Sequence, residues 1–487
     1  MGLFDLFVWY RVWIEVIEKG HSMKRQILLF LVFGLPFIAC GQNSPLQLSL
    51  EEALQMAYSN NHSLTIAREG VVAAKAESRE LRSLWYPSMV ITGEYTHTLT
   101  DIAAVTSVGE IGSELLGNLT PIITNNPQLA ELADGIANSQ LRLPLVPRNT
   151  ASVGAELMWT VFSGGRRIMA SKIAKEVSNI AGEQYGATKQ NVVREVLTAY
   201  MGVELAQRLV DVRKSALLQH SEHLRQARRL EDEGMINRAE RLVAEVAYKQ
   251  SATLLTTAQN DLSIAQRALS VLIGCEGEQF IPTTPLSIPT TIPSKEELLA
   301  TIDSTPSLSI LRSQEQIANS VLNAEWSRYL PSVAVIGHQQ LWSKGLDKNL
   351  FPRTIVGVGL SWTLFDGLSR EGAISRSKAS LHIAEITINK TRSDLQTAIE
   401  RYYDIVTSSI VELEAQQTTI SLAEEIVRVR RKAFAEGMAT SSEVVDATQM
   451  LSEARVAHLA TLYTTNTSLA MLLMLSGRAE EISHFIQ

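Results

Sequence analysis

The sequence is short of several things, and each shortage excludes a class of protein. Only two cysteines, Cys40 and Cys275, occur in 487 residues, so no disulfide framework is available and Cys275 reads as a lone thiol. Basic blocks are missing too: 44 Lys and Arg stand against 51 Asp and Glu, a net charge of −7, and no basic stripe is interleaved with aromatics. Nucleic acid is therefore excluded as a partner. The chain has no G-x-x-x-x-G-K-[ST] loop, no HExxH or CxxC set and no G-x-S-x-G elbow. Neither nucleotide nor metal catalysis has a scaffold; no enzyme activity, cofactor or metal is implied.

Long hydrophobic runs are also absent. The longest, Ile27 to Ala39, has thirteen residues, too few for a membrane-spanning helix. Preceded by Met23-Lys24-Arg25, it has the layout of a secretory signal over 23–41, so an exported protein is expected. Residues 1–22 fit no such layout and read as a misassigned extension ahead of Met23. Two processing routes stay open: cleavage at Ala39-Cys40-Gly41, or acylation of Cys40 in an imperfect lipoprotein-type signal.

What the chain does have is a duplication. Trp159, Thr160, Phe162 and Gly164 recur 203 residues later as Trp362, Thr363, Phe365 and Gly367. Glu233-Gly234-Met235 recurs at the same offset as Glu436-Gly437-Met438. Upstream, Pro87 in WYPS matches Pro331 in YLPS at an offset of 244, so the first half carries 41 extra residues, between about Thr98 and Asn149. The halves are 45–274 and 295–477, joined by 275–294, where IPTTPLSIPTTIP holds four prolines and reads as extended chain. Residues 478–487 form a tail.

Each half follows one plan. A long segment without proline or turn cluster follows the WTxFxG motif, Arg166 to Glu233 and Arg370 to Glu436, predicting helices of roughly 100 Å at 1.5 Å per residue. Ile399, Val406, Leu413, Ile420, Val427 and Phe434 lie seven apart, as do Val196, Val203, Val210, Leu217 and Leu224; that spacing is a coiled-coil seam. Gly234 and Gly437 break the rods, and Asn237-x-x-Glu240 and Thr440-x-x-Glu443 have the form of helix N-caps that start return helices. Helical stretches from Leu50 to Trp85 and from Lys295 to Trp326 complete six main arms.

Between these arms the period changes to two. Val153, Ala155, Leu157, Trp159 and Val161 alternate with small or polar residues, as do Val356, Val358, Leu360, Trp362 and Leu364. With 88–97 and 332–341 they give two hairpins of about ten-residue strands, the length of a tilted transmembrane strand. A half-buried soluble sheet would alternate in the same way, but Trp85, Trp159, Trp326 and Trp362 all sit at the helix–strand junctions, beside Tyr86, Phe162, Tyr329 and Phe365. That is the pattern of an aromatic girdle at a membrane interface. Four strands cannot close a barrel, and an open edge in lipid leaves backbone groups unpaired, so several copies must share one barrel. Eight strands from two copies and twelve from three both remain open.

Together these features resemble the TolC-type outer-membrane efflux ducts, over about residues 45–477. The resemblance implies a mainly α, duplicated fold in a homotrimer: a long coiled-coil α-helical barrel in the periplasm, continuous with a 12-stranded transmembrane β-barrel to which each chain gives four strands. It implies a passive exit duct of a tripartite efflux or type I secretion system, with a periplasmic adaptor and an inner-membrane pump as partners. The tips, Gly234, Met235 and Asn237 with Gly437, Met438 and Thr440, would face the adaptor, besides serving as turns. Glu443 and Asp446, on one helix face, match the family's acidic positions at the periplasmic constriction, where crowded carboxylates favour cations; Glu443 is equally explained as a capping residue after Thr440. Glu240 holds the corresponding place on the first tip, with Arg238 or Arg241 as expected partners. Ala439 and Phe434 stand where some members have the Arg and Tyr that lock the gate. The segment 114–141 looks able to form short helices over the mouth. A non-porous coiled-coil tether, lipid-anchored at Cys40, is the competing class; it leaves the duplicated strands unexplained.

Overall fold

A computed structural model describes residues 46–99, 102–107, 140–146, 149–289, 291–344 and 352–486. Cys40, the signal segment, the extension ahead of it and most of 114–141 lie outside these residues.

The chain opens with β1 (Leu46–Leu48) and two helices, α1 (Leu50–Asn60) and α2 (His62–Leu81). The expected continuous arm is thus broken at Asn61, whose side chain accepts from the N–H groups of Ser63 and Leu64 and starts a new helix. A 3₁₀ turn over Arg82–Trp85 leads into β2 (Ser88–His97). The enlarged outer loop carries an antiparallel pair, β3 (Ile102–Ser107) and β4 (Gln140–Val146), which the sequence reading lacked. Then come β5 (Asn149–Phe162), the long α3 (Arg166–Asp232), the return α4 (Arg238–Leu272) and β6 (Phe280–Pro282).

The second half repeats the order: α5 (Lys295–Ala300), α6 (Pro306–Trp326), β7 (Ser332–Lys344), β8 (Thr354–Ser361), α7 (Ser369–Ala435) and α8 (Ser441–Leu475), with a short α9 (Ile482–Phe485). The expected single arm from Lys295 to Trp326 is again divided, because Thr305 precedes Pro306 and takes an extended conformation. β8 ends at Ser361, so Trp362 and Leu364, expected within the strand, lie just past it.

α3 and α7 have 67 residues each, and heptad packing explains how rods of about 100 Å stay ordered. Ile399, Val406, Leu413, Ile420, Val427 and Phe434 are all buried, as are Val196, Val203, Val210 and Leu224; Leu217 is half-buried. α3 pairs with α4 and α7 with α8 along the tip-ward half, while α2 and α6 flank the other half. Among the described residues no helix is long and apolar enough to cross a membrane.

The four main strands form one antiparallel sheet in the order β2-β5-β7-β8, so the two hairpins join through β5 and β7. Its register sorts the side chains. Ile91 faces Ala155, Ala155 faces Gln339, Leu157 faces Gly337, Trp159 faces Val335, and Val335 faces Val358. Glu156, Met158 and Thr160 fall on the opposite face with Thr92, His338 and Ala334. One face is thus mostly apolar across the four strands, interrupted by Gln339, and the other mixes Glu156, Thr92 and His338 with Met158 and Ile336.

Midway along the rods the two segments that flank the first half come together. β1 pairs in parallel with β6, and Tyr200 of α3, fully buried, donates to the Leu48 carbonyl at 2.7 Å and accepts from the N–H groups of Thr283 and Thr284 at 3.0 and 2.9 Å. The Pro-rich segment is extended, as its composition predicts, but packed: Leu286 is buried in the core.

Candidate functional site: the paired tips and the membrane junctions

Both tips end their long helix in the same way. Met235 N–H reaches back to the Leu230 carbonyl and Gly234 N–H to Glu231; Met438 reaches Ala433 and Gly437 reaches Phe434. This is a Schellman closure, which needs a left-handed residue, and Gly234 and Gly437 supply it at φ 73° and 74°. Met235 and Met438 are left exposed at the ends.

The return helices then start differently. Asn237 accepts from Glu240 N–H at 3.1 Å. Thr440 and Glu443 form a complete capping box, Thr440 Oγ1 accepting from Glu443 N–H at 3.3 Å and Glu443 Oε2 accepting from Thr440 N–H at 3.0 Å. The other oxygen of Glu443 takes Arg430 at 3.2 Å. The capping explanation of Glu443 therefore describes its geometry, while Asp446 is exposed and, among the described residues, takes a hydrogen bond from the Ser442 hydroxyl alone, at 3.5 Å.

Glu240 corrects the sequence reading. Its carboxylate pairs with neither Arg238 nor Arg241; it crosses to the other tip and accepts from the backbone N–H of Ser441 at 2.6 Å. Arg241 instead bridges Glu231 at 2.6 Å and Glu245. The reason is local: the first tip has no hydroxyl cap to hold Glu240 in a box, and Ser441 N–H, at the first turn of α8, is an orphan donor that an anion satisfies well.

Further contacts join the tips around that bond. His223 Nε2 lies 2.7 Å from Ser441 Oγ, and its ring meets Phe434 edge-on at 4.6 Å. Phe434 is buried with Leu224, Ala227, Leu230, Ala244 and Val444, and Ala439 packs against the same cluster. Arg431 pairs with Glu222 at 2.6 Å. So where an Arg and Tyr lock was expected to be missing, Phe434 and Ala439 contribute apolar packing. Burial, aided by His220 and Arg431 nearby, pushes the His223 pKa down to about 4; burial also lowers that of His220.

At the other end the junction residues form two matching clasps. Trp159 Nε1 donates to the Trp85 carbonyl at 3.1 Å, and Trp362 Nε1 to the Tyr329 carbonyl at 3.0 Å. The Arg167 guanidinium lies 4.7 Å over the Trp85 ring and donates to the carbonyls of Leu84 and Val161. That of Arg370 lies 4.5 Å over Tyr329 and donates to Arg328, Thr363 and Leu364. Trp326 stands 5.9 Å from Tyr329, and Tyr86, Phe162 and Phe365 are exposed beside them. The two arginines were missed from sequence, although the offset of 203 that relates the motifs also relates them. Toward the far strand ends, Tyr95 and Trp342 are exposed.

A family model described as "Outer membrane efflux protein" matches residues 123–275 and 300–478, well over half of the chain. The chain belongs to that family, whose members are outer-membrane channels and not enzymes. Among curated relatives, the alkaline protease secretion protein AprF of Pseudomonas aeruginosa is 22% identical over 287 residues, 56% of this chain and 59% of AprF. The outer membrane efflux protein BepC of Brucella suis is 21% identical over 57% of this chain and 61% of its own length. The matched region thus spans less than two thirds of either relative. A solved structure of CusC superposes with a TM-score of 0.71 at 15% identity, covering 90% of this chain and 95% of that one, which establishes the fold.

Proposed function

We propose that the chain is one third of a passive exit duct, carrying cargo from an inner-membrane pump and periplasmic adaptor to the cell exterior. The observation that carries this reading is the four-stranded sheet: it has one mostly apolar face and, among the described residues, two unpaired edges, β2 and β8. In lipid those edges must be satisfied. Pairing β8 of one copy with β2 of the next, three times, gives twelve strands with the polar face of Glu156 and His338 turned to the lumen. The helices continue the same order below, so three copies would bring three Asp446 carboxylates together where the tips converge. Exposed and, among the described residues, paired with no cation, Asp446 is the residue proposed to select cations and narrow the exit, with Glu443 and Glu240 holding the tip backbone beside it. The exposed ends at Gly234, Met235, Asn237, Gly437, Met438 and Thr440 are the proposed adaptor contact. Efflux and protein secretion, the roles named for BepC and AprF, use the same duct; the pump would set the cargo.

The test is single-channel conductance of the purified mature protein in a planar bilayer. Cation-selective openings that grow or lose selectivity in Asp446→Ala are expected. A folded, membrane-inserted protein with no conductance in any variant, even after removal of 98–149, would sink the duct reading in favour of a tether.

A further inference from the structure

The duplicated halves depart from each other at one place that neither the clasps nor the gate accounts for. Between α2 and the start of α3 lies an open groove of about 700 Å³, lined by Lys75, Arg79, Arg82 and Lys175, with Trp85 closing one end. All four cationic side chains are exposed, and among the described residues none of them forms an ion pair, although cations farther along α3 do so, such as Arg208 with Glu204 or Lys189 with Glu480. Counted from Trp85, Arg82 is about one helical turn away, Arg79 about two and Lys75 about three, within about 15 Å along the axis.

The second half shows what this junction needs for folding alone. At an offset of 244, Lys75, Arg79 and Arg82 become Asn319, Asn323 and Trp326. Lys175 becomes Lys378, whose ammonium sits 5.6 Å from the Trp326 ring. There an aromatic side chain, itself exposed, stands in place of Arg82 and engages the one remaining cation. Four unpaired charges are therefore no requirement of the strand-to-helix junction.

We infer that the first-half groove binds the phosphate of an anionic membrane lipid. The Trp85 end places it under the aromatic girdle: Trp159, which lies on the apolar face of the sheet, donates to the Trp85 carbonyl, and Trp85 Nε1 donates to Ser171 in the groove wall at 3.1 Å. Tryptophan rings mark the headgroup level, so Arg82 and Arg79 lie among the headgroups of the periplasm-facing leaflet. Their planar guanidinium groups can each take two phosphate oxygens, while Lys75 and Lys175 act as point charges on the same anion. Ser78 offers a hydroxyl alongside, and Asn179 an amide that also donates to Glu176 Oε2 at 3.1 Å. The lipid would anchor the first-half junction against the leaflet, as Trp326 with Lys378 anchors the second by itself. This inference rests on the duct reading, which puts the girdle at the membrane surface.

The test uses the full-length mature protein in nanodiscs of phosphatidylcholine doped with phosphatidylglycerol, with retained lipid counted by native mass spectrometry after release into detergent. Parent protein is expected to retain phosphatidylglycerol over phosphatidylcholine, and affinity is expected to fall roughly fivefold for each charge removed in Arg79→Gln and Arg82→Gln. Arg79→Lys with Arg82→Lys should keep most of it, which guards against a folding defect. Asn319→Lys with Asn323→Lys, in the half where Trp326 stands in place of Arg82, should add none. Unchanged phosphatidylglycerol retention in the Arg79→Gln, Arg82→Gln double variant overturns the inference. So does displacement of the lipid by millimolar inorganic phosphate alone, which would mark a soluble anion as the ligand. Failure of the protein to enter the nanodisc at all would instead count against the duct reading.

Discussion

The two halves of the chain were built from one plan, and comparing them position by position separates what the backbone demands from what partners demand. The Schellman closures at Gly234 and Gly437 are the same down to the carbonyls that they serve. The two arginine clasps are nearly so: Arg167 and Arg370, Trp159 and Trp362 keep their offset and their equivalent acceptors, and Arg370 adds the Thr363 carbonyl. These groups satisfy main-chain donors and acceptors at places where a strand or helix must stop, and such needs are common to both copies. Divergence is found on side chains that reach elsewhere. Glu240 and Glu443 occupy equivalent positions, yet one crosses to the neighbouring tip and the other caps its own helix. Lys75, Arg79 and Arg82 have become Asn319, Asn323 and Trp326.

The largest expected difference between the copies is at the clasps. Arg370 is almost fully buried, serves three carbonyls and pairs with Asp366 at 3.3 Å. Arg167 is half-buried, serves two carbonyls and has no carboxylate partner among the described residues. Arg370→Ala leaves three carbonyls without this donor and Asp366 with Arg328 alone, at 3.4 Å, a loss of about 3 kcal/mol, the low end for a broken buried pair. Arg167→Ala should lose about 1–3 kcal/mol. Thermal dissociation of the assembled protein followed by gel mobility gives the order; equal effects, or a larger one at Arg167, would break the claim that burial sets the difference.

The elements of this comparison differ in how plainly the sequence shows them. The rods, the strands and the tip glycines are legible because each follows a local rule: a seven-residue seam, a two-residue alternation, a glycine at a left-handed turn. The cap at Asn61 and the Thr305-Pro306 break are local as well, but the apolar pattern continues across them and masks them. The bond from Glu240 to Ser441 is another matter, since its partners lie 201 residues apart and the donor is a backbone group that no residue type announces. Tyr200 is hidden in the same way: its hydroxyl gathers Leu48, Thr283 and Thr284 from both chain segments flanking the first half. Long-range bonds to main chain leave no spacing to read. The arginine clasps fall between these cases, visible once the offset of 203 is applied to every residue after the motif.

Acid should distinguish the tips next, because only the first-half hairpin contributes buried histidines there; the position equivalent to His223 is Ile426. With the His223 pKa lowered from 6.5 to about 4, the unfolded chain binds the proton that the folded one refuses. Stability is therefore unaffected above about pH 6.5, falls as pH drops toward 4, and loses up to roughly 3 kcal/mol in that window. His223→Leu should flatten that fall while losing the contact to Ser441 Oγ, about 1 kcal/mol at neutral pH. Thermal midpoints of parent and variant at pH 7.5 and 5 check both effects. A parent with the same midpoint at the two pH values would show that the tip admits the charged ring.

The smallest contrast is between the two equivalent glutamates. Glu240→Ala removes a charge-assisted bond to Ser441 N–H, about 1.5–3 kcal/mol, and that bond joins the two hairpins. Glu443→Ala removes half of a capping box, about 1 kcal/mol, within a single hairpin, together with an exposed pair to Arg430 of little consequence. The energies overlap, so stability alone will not separate them; the distinguishing readout is whether the hairpins part. A disulfide probe linking the hairpins near Ser441 should form more slowly in Glu240→Ala and at the parent rate in Glu443→Ala. Slowing by both variants to the same degree would mean that the tips are held by the Phe434 cluster and the Arg431–Glu222 pair, with Glu240 as one more cap on an otherwise closed end.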